Sequence, residues 1–296
     1  MKEKPFSKYQ ILANAVMIIW TLAIILPFIL LFMSSITDEN TLVANGYSFF
    51  PKKFSLASYS YIIKSGGQIL KAYGVSIGVT VVGTLLNVLL SALMAYPLSV
   101  KNLPGRNVMM FFVFFTMLFN GGIVPSYIMW TGTFHIKDTI FAQLLPNFLL
   151  SAWNVMMIRT YFTTSIPDGL YEAAEIDGAS QFTIFWKIVL PLGKPILVTM
   201  GTFAGLAYWN DWTNGLYYIV KNTGLYNVQN LLNQMVQNIQ FLTQSSNSNV
   251  TAAASTIPAT GIQMAIAFVA ILPIMLIFPS FQQYYAKGIA LGAVKG

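Results

Sequence analysis

Two short strings in this chain hold residues that do chemistry at close spacing. The first runs from Pro167 to Ser180 and carries four acids, Asp168, Glu172, Glu175 and Asp177. The second is Trp209-Asn210-Asp211-Trp212, an acid between two indoles inside an otherwise apolar run. The second string suits a polyhydroxylated solute: indole faces stack on sugar rings, and the amide and carboxylate exchange hydrogen bonds with hydroxyls. The other reading of the same residues puts Asp211 at a membrane interface with the tryptophans as belt anchors. The first string suits being gripped. Ser165 and Asp168 form a capping-box-like pair, Pro167 fits an early helical position, and Gly178 fits a left-handed helix end. Asp168, Glu172 and Glu175 favour the positive N-terminal half of the helix dipole. Ala173 and Ala174 allow another backbone to come close, and Ser180 is placed to cap a following helix. An ordinary amphipathic connector explains the caps but not the composition of the whole loop.

The other chemistries are missing from the sequence. There are no cysteines, so thiol catalysis, disulfides and thiolate metal sites are excluded. The single histidine, His135, has no ligand-type neighbour, and no nucleophile constellation is evident; the expectation is no catalytic residue and no metal. No Gly-x-x-x-x-Gly-Lys-Ser/Thr loop exists, because the only Lys followed by Ser or Thr is Lys64, which Ile63 precedes. ATP chemistry would have to come from another chain.

The elements that carry these strings are apolar. With 56% hydrophobic and 8% charged residues, the chain cannot cover a water-facing surface, where about a quarter of residues are charged. Roughly 20 apolar residues cross a bilayer as a helix. Six uncharged or nearly uncharged stretches meet that length: Ile11–Met33, Lys71 to Lys101, Asn107 to about Trp130, Asp138 to Arg159, Pro195 to about Tyr218 with Asp211 inside it, and about Ala259 to Phe281. The runs are continuous rather than alternating, which excludes a strand barrel. With an internal N-terminus, ten of the 16 basic residues fall on the cytoplasmic side, as the positive-inside rule asks. The +7 formal charge is scattered rather than clustered, so nucleic acid is not an expected partner. The expectation is an all-α integral membrane protein of six spans with both termini cytoplasmic. Residues 1–71 would be a tail, first span and long outer loop; residues 72–281 a core with a cytoplasmic loop (161–194) and an outer loop (219–258); residues 282–296 a cytoplasmic tail. Within the outer loop, Val228, Leu231, Leu232, Met235, Val236, Ile239 and Leu242 recur at helical spacing. Whether the outer loops only cap spans or dock a partner stays open. Asn87, Asn120, Asn147 and Asn154 are expected to hydrogen-bond between helices. The tripeptide Asn249-Val250-Thr251 fits a glycosylation acceptor, but such tripeptides are common by chance.

The string EAAEIDGASQFTIFWKIVLP, Glu172 to Pro191, resembles the Glu-Ala-Ala motif of permeases of binding-protein-dependent ABC importers. It matches at Glu172, Ala173, Ala174, Gly178, Ile188, Leu190 and Pro191. Pro167, Asp177, Ala179 and Pro195, the tail from Lys287 to Gly296, and Trp209-Asn210-Asp211-Trp212 are similar to the carbohydrate-uptake branch, of the maltose-transporter type. The resemblance implies the type I ABC importer permease fold in a bacterial cytoplasmic membrane. It implies that Glu172, Ala173, Ala174, Asp177, Gly178, Ile188, Leu190 and Pro191 form a coupling helix and its support, seated in an ATPase. It implies a homologous second permease subunit, two ABC ATPase subunits carrying ATP and Mg, a solute-binding protein and an oligosaccharide substrate, with Lys295 and Gly296 reaching the ATPase. No cofactor would be held by this chain. The alternatives are the same scaffold moving glycerol phosphate or an amino acid, or an ion-coupled secondary transporter, which the lack of repeats and of several intramembrane charges disfavours.

Overall fold

The computed structural model describes residues 8–64, 66–244 and 259–293. Lys295, Gly296 and the tripeptide Asn249-Val250-Thr251 lie outside the described residues. Within them the chain is helical, with one isolated bridge between Thr37 and Phe54. Contacts divide the chain into two compact units, residues 1–69 with 232–273, and residues 70–231 with 274–296.

In the first unit, α1 (Lys8–Ser35) is a long apolar helix, followed by short α2 (Glu39–Asn45) and α3 (Ala57–Lys64). Glu39 ties α2 to the start of the last helix, its two carboxylate oxygens accepting from the Thr260 and Gly261 amides at 2.8 Å each. A carboxylate on unpaired amides at a helix N-terminus satisfies donors the helix cannot. Ile62, Ile262, Ala265 and Ile266 form the buried cluster beside it.

The second unit holds the functional strings. Its helices are α4 (Gly66–Ser99), α5 (Arg106–Leu118), α6 (Ile123–Ile128, continuing as a π-turn to Thr133), α7 (Phe141–Leu144), α8 (Ala152–Ser165), α9 (Asp168–Ile176), α10 (Gln181–Ile184), α11 (Leu190–Leu192), α12 (Lys194–Asn210) and α13 (Thr213–Tyr218). Next come α14 (Val228–Gln244), the amphipathic helix expected from the Val228–Leu242 spacing, and α15 (Ala259–Ala293), each with residues assigned to both units.

Three of the six expected spans differ from continuous helices. Among the described residues, three helices are long and apolar enough to cross a membrane, or five if each bent pair counts as one span. The third span breaks by 110° between Leu118 and Ile123. The cause is Asn120-Gly121-Gly122, where Gly122 sits at φ +85° and donates its amide to Asn120 Oδ1 at 2.9 Å. Asn120 therefore makes a local turn rather than an interhelical bond. The fourth is split into α7 and α8 by Pro146 and by Asn147 at φ +67°. The fifth ends at Asn210, so Asp211 lies beyond α12 rather than inside a helix. Hydropathy averages over such breaks, because the residues that make them are few.

Candidate functional site

The loop at 161–194 is built around α9 and the segment that follows. Ser165 is the last residue of α8 and Pro167, in extended conformation, precedes α9, so Ser165 does not cap α9 as the spacing predicts. Pro167 fixes the backbone turn between two helices, and a proline disfavours helical conformation in the residue before it. The far end follows the prediction. The Ala179 amide donates to the Ala174 carbonyl at 2.9 Å and the Gly178 amide to Glu175 at 3.0 Å, with Gly178 at φ +76°. That pair of bonds across a left-handed residue is a Schellman closure, which a side chain with a Cβ resists. Ser180 then accepts from the Thr183 amide at 3.2 Å and caps α10.

The two alanines divide the work. Ala174 is buried in the main core with Tyr96, Ile158, Phe162, Phe185 and Val189, while Ala173 is exposed beside Glu172, Ile176 and Asp177. The small faces therefore serve both sides: one seats α9 on its own protein, the other leaves room for a neighbour. Ile188 and Leu190 pack against the same core, and Pro191 is exposed. Phe185–Val189 is a π-helical stretch, and the Gln181–Leu192 segment meets α12 at 78°. At that elbow a methyl on Gly193 would come within 2.5 Å of the Phe162 ring, so α8 packs directly on the bend.

The second string lies where α12 gives way to α13. Trp209 and Asp211 are buried, Asn210 and Trp212 exposed. Asp211 Oδ1 accepts from the Thr213 amide at 3.0 Å, the Thr213 hydroxyl at 2.7 Å and the Asn214 amide at 3.2 Å, so it caps α13. The buried Asp211 Oδ2 has no hydrogen-bond partner. The two pairs thus part company: one faces outward, the other holds the bend.

A family model described as "Binding-protein-dependent transport system inner membrane component" matches residues 72–291. The chain belongs to this family. Among relatives of this permease, Protein LplC of Bacillus subtilis is 36% identical over 92% of this chain and 90% of its own length. The polygalacturonan/rhamnogalacturonan transport system permease protein YtcP of the same organism is 35% identical over 97% and 98%. The arabinooligosaccharides transport system permease protein AraQ of Halalkalibacterium halodurans is 27% identical over 92% and 91%. A solved structure of a bacterial ABC transporter involved in import of the acidic polysaccharide alginate superposes with a TM-score of 0.79. It is 26% identical and covers 95% of this chain and 100% of its own. The matched residues include the 161–194 loop and both broken helix pairs.

The structure of the permease adds residues that the sequence reading passed over. Tyr96 donates to Gln181 and Gln181 to Glu175 within the 161–194 loop, and Lys101 forms an exposed ion pair with Asp168. Around Asp211 stands a buried amide network. Asn227 Nδ2 donates to the Asp211 carbonyl at 2.6 Å, Gln143 Nε2 to Asn230 Oδ1 at 3.3 Å, and Asn214 Nδ2 to the Pro146 carbonyl at 3.1 Å. Asn230 donates to the Trp212 carbonyl, and Asn147 to Asn214 at 3.3 Å. The loose carbonyls left by the α7–α8 and α12–α13 breaks are satisfied here, as buried backbone requires. Asn87 and Asn154 bond to each other at 2.7 Å, and Asn87 to the Phe148 carbonyl at 2.6 Å, as the intramembrane asparagines were expected to do. The one available signal for this network was the density of Asn and Gln after Asp211.

Proposed function

We propose that this chain is one permease subunit of an ABC importer that takes up sugars, oligosaccharides foremost, across a bacterial cytoplasmic membrane. One observation carries this reading. A nine-residue helix closed at its C-terminal end by Gly178 bears the family motif, buries Ala174 in its own core and presents Glu172, Ala173, Ile176 and Asp177 outward. Such a helix enters at the turn fixed by Pro167, ends sharply at Gly178 and is half-used by its own fold, which leaves one face for a partner. ATP and Mg belong to two ATPase subunits. When these close, α9 is displaced as a rigid piece and the membrane helices rock between inward- and outward-open states. A loaded solute-binding protein outside supplies part of the free-energy difference between those states. A homologous second permease completes the six-span halves, with both termini on the ATPase side and Lys295 and Gly296 contacting the ATPase. The sugar assignment is supported by relatives named for polygalacturonan/rhamnogalacturonan and arabinooligosaccharides and by the alginate importer. On the substrate path, exposed Asn210 and Trp212 would face the sugar, while Trp209 and Asp211 hold their shape.

The test is coupled uptake. The chain is assembled with its partner permease, ATPase and binding protein, and uptake of labelled oligosaccharide is compared with that of glycerol phosphate and amino acids. Glu172→Lys and Gly178→Val should each cut ATP-dependent uptake at least tenfold (about 1.4 kcal/mol of lost coupling) while membrane insertion is unchanged. Normal uptake by both variants would overturn the assignment of the loop. Preferred uptake of a non-sugar solute would overturn the assignment of the substrate.

A further inference from the structure

Displacement of α9 has an evident covalent route into the membrane, through Gly178, α10, α11 and α12. That route contains two soft points, the left-handed residue at Gly178 and the 78° elbow at Gly193. A push delivered only along it is partly taken up by bending there.

A lateral link bypasses both points. Tyr96 lies in the last turn of α4 and is only 8% exposed. Its hydroxyl donates to Gln181 Oε1 at 2.5 Å, and Gln181 Nε2 donates in turn to Glu175 Oε1 at 2.8 Å. Its ring stacks on Tyr171 of α9, centroids 6.4 Å apart and planes 25° apart, and tilts against Phe185 at 5.4 Å. One α4 residue therefore touches the coupling helix, the segment after it and the hydrogen-bond chain between them. A ring locked into a close-packed core cannot slide without opening a void, and the carboxylate at the end of the chain strengthens both bonds.

We propose that Tyr96 is a positioning residue: with Gln181 and Glu175 it clamps the coupling helix to α4, so that α4 moves directly with α9. This rests on the permease reading above and names a transmission path within it. The clamp has two separable parts, packing by the ring and registration by the hydroxyl. Removing the hydroxyl alone should loosen the lever without unseating it.

The experiment uses the full importer in proteoliposomes and reads ATP hydrolysed per solute moved, with assembly and thermal melting as controls. Tyr96→Phe and Gln181→Ala should each raise that ratio on the order of three- to tenfold, the range one net hydrogen bond spans. The double variant should do no worse than either single one, because both cut the same chain. Rates of ATP hydrolysis and melting should stay near the parent. A Tyr96→Phe importer with the parent ratio would overturn the clamp, and so would additive losses in the double variant. If Tyr96→Phe fails to assemble, Gln181→Ala, whose side chain is exposed, decides alone. Failure of the unmodified importer to couple ATP to uptake would instead remove the permease reading and the clamp with it.

Discussion

The loop around α9 and the Asp211 network are both tight polar-and-packed structures, yet they are specified in opposite ways. In the loop, the bonds that close the ends of α9 and α10 join residues within six positions, Gly178 to Glu175, Ala179 to Ala174, Thr183 to Ser180 and Gln181 to Glu175, while Tyr96–Gln181 and Lys101–Asp168 tie the loop to distant residues. In the network, Gln143 reaches Leu225 and Asn230, Asn214 reaches Pro146, and Asn227 reaches both Gln143 and Asp211. An element whose end closures are local keeps those closures when a partner handles it, even where its buried face leans on the core. A network of distant amides holds only while every member is in place, since each buried polar group left unpaired carries its full desolvation cost. That difference suits a lever on one side and a fixed frame around the helix breaks.

The sharpest way to break this comparison is Gly215→Ala. A methyl there would overlap the Asn230 amide, which itself serves Trp212 and Gln143. Overpacking costs ~1–3 kcal/mol and an unpaired buried amide a similar amount, so about 3 kcal/mol of stability should go. A melting curve of the detergent-solubilised chain checks this. Melting at the parent temperature would mean the network is slack, and the contrast with the loop would be lost.

How far the sequence was legible follows from the same difference. The loop could be read because Pro167, Gly178 and Ser180 each act on neighbours two to five residues away. Ser165 misled because the capping pattern is only a spacing, and α8 ran on to claim that residue. The long apolar helices α1, α4 and α15 could be read from hydropathy alone. The breaks could not: Asn120-Gly121-Gly122 is a three-residue interruption closed by its own local bond, and Pro146-Asn147 one completed by Asn214 far along the chain, and hydropathy averages over both. Tyr96 offered no signal at all, being one more aromatic in an apolar helix until Gln181, 85 positions away, met its hydroxyl.

A smaller effect separates the two roles open to Asp211. Asp211→Ala removes the acceptor that holds the Thr213 amide and hydroxyl and the Asn214 amide, and should cost ~1–2 kcal/mol, as loss of a helix cap does. Asp211→Asn keeps that acceptor oxygen and replaces the buried carboxyl oxygen that has no partner. It should melt within about 1 kcal/mol of the parent and retain uptake, in line with the modest cost of isosteric exchange at a still-bonded position. Uptake abolished by Asp211→Asn with stability intact would move Asp211 from the frame to the sugar.

The smallest effect concerns the clamp at Asp138, which borrows the loop's device for a distant contact. Its Oδ1 accepts three successive backbone amides, Val220 at 2.6 Å, Lys221 at 2.7 Å and Asn222 at 3.2 Å, while its own amide donates to the Tyr218 carbonyl at 2.9 Å. The amide of Lys221 foremost, then those of Val220 and Asn222, with the Lys137 ammonium, hold this carboxyl below its ordinary value against a modest opposing effect of burial. A depressed carboxylate contributes stability that is fully present above its unfolded pKa of about 3.9 and is lost as pH falls through the lower folded value. Melting temperatures of the parent and of Asp138→Asn, whose amide oxygen still accepts but does not titrate, should therefore run parallel from pH 7 to about 5. Below that the parent should fall faster. Parallel curves down to pH 3 would show that three amides on one oxygen hold the loop by geometry alone, with no help from the charge.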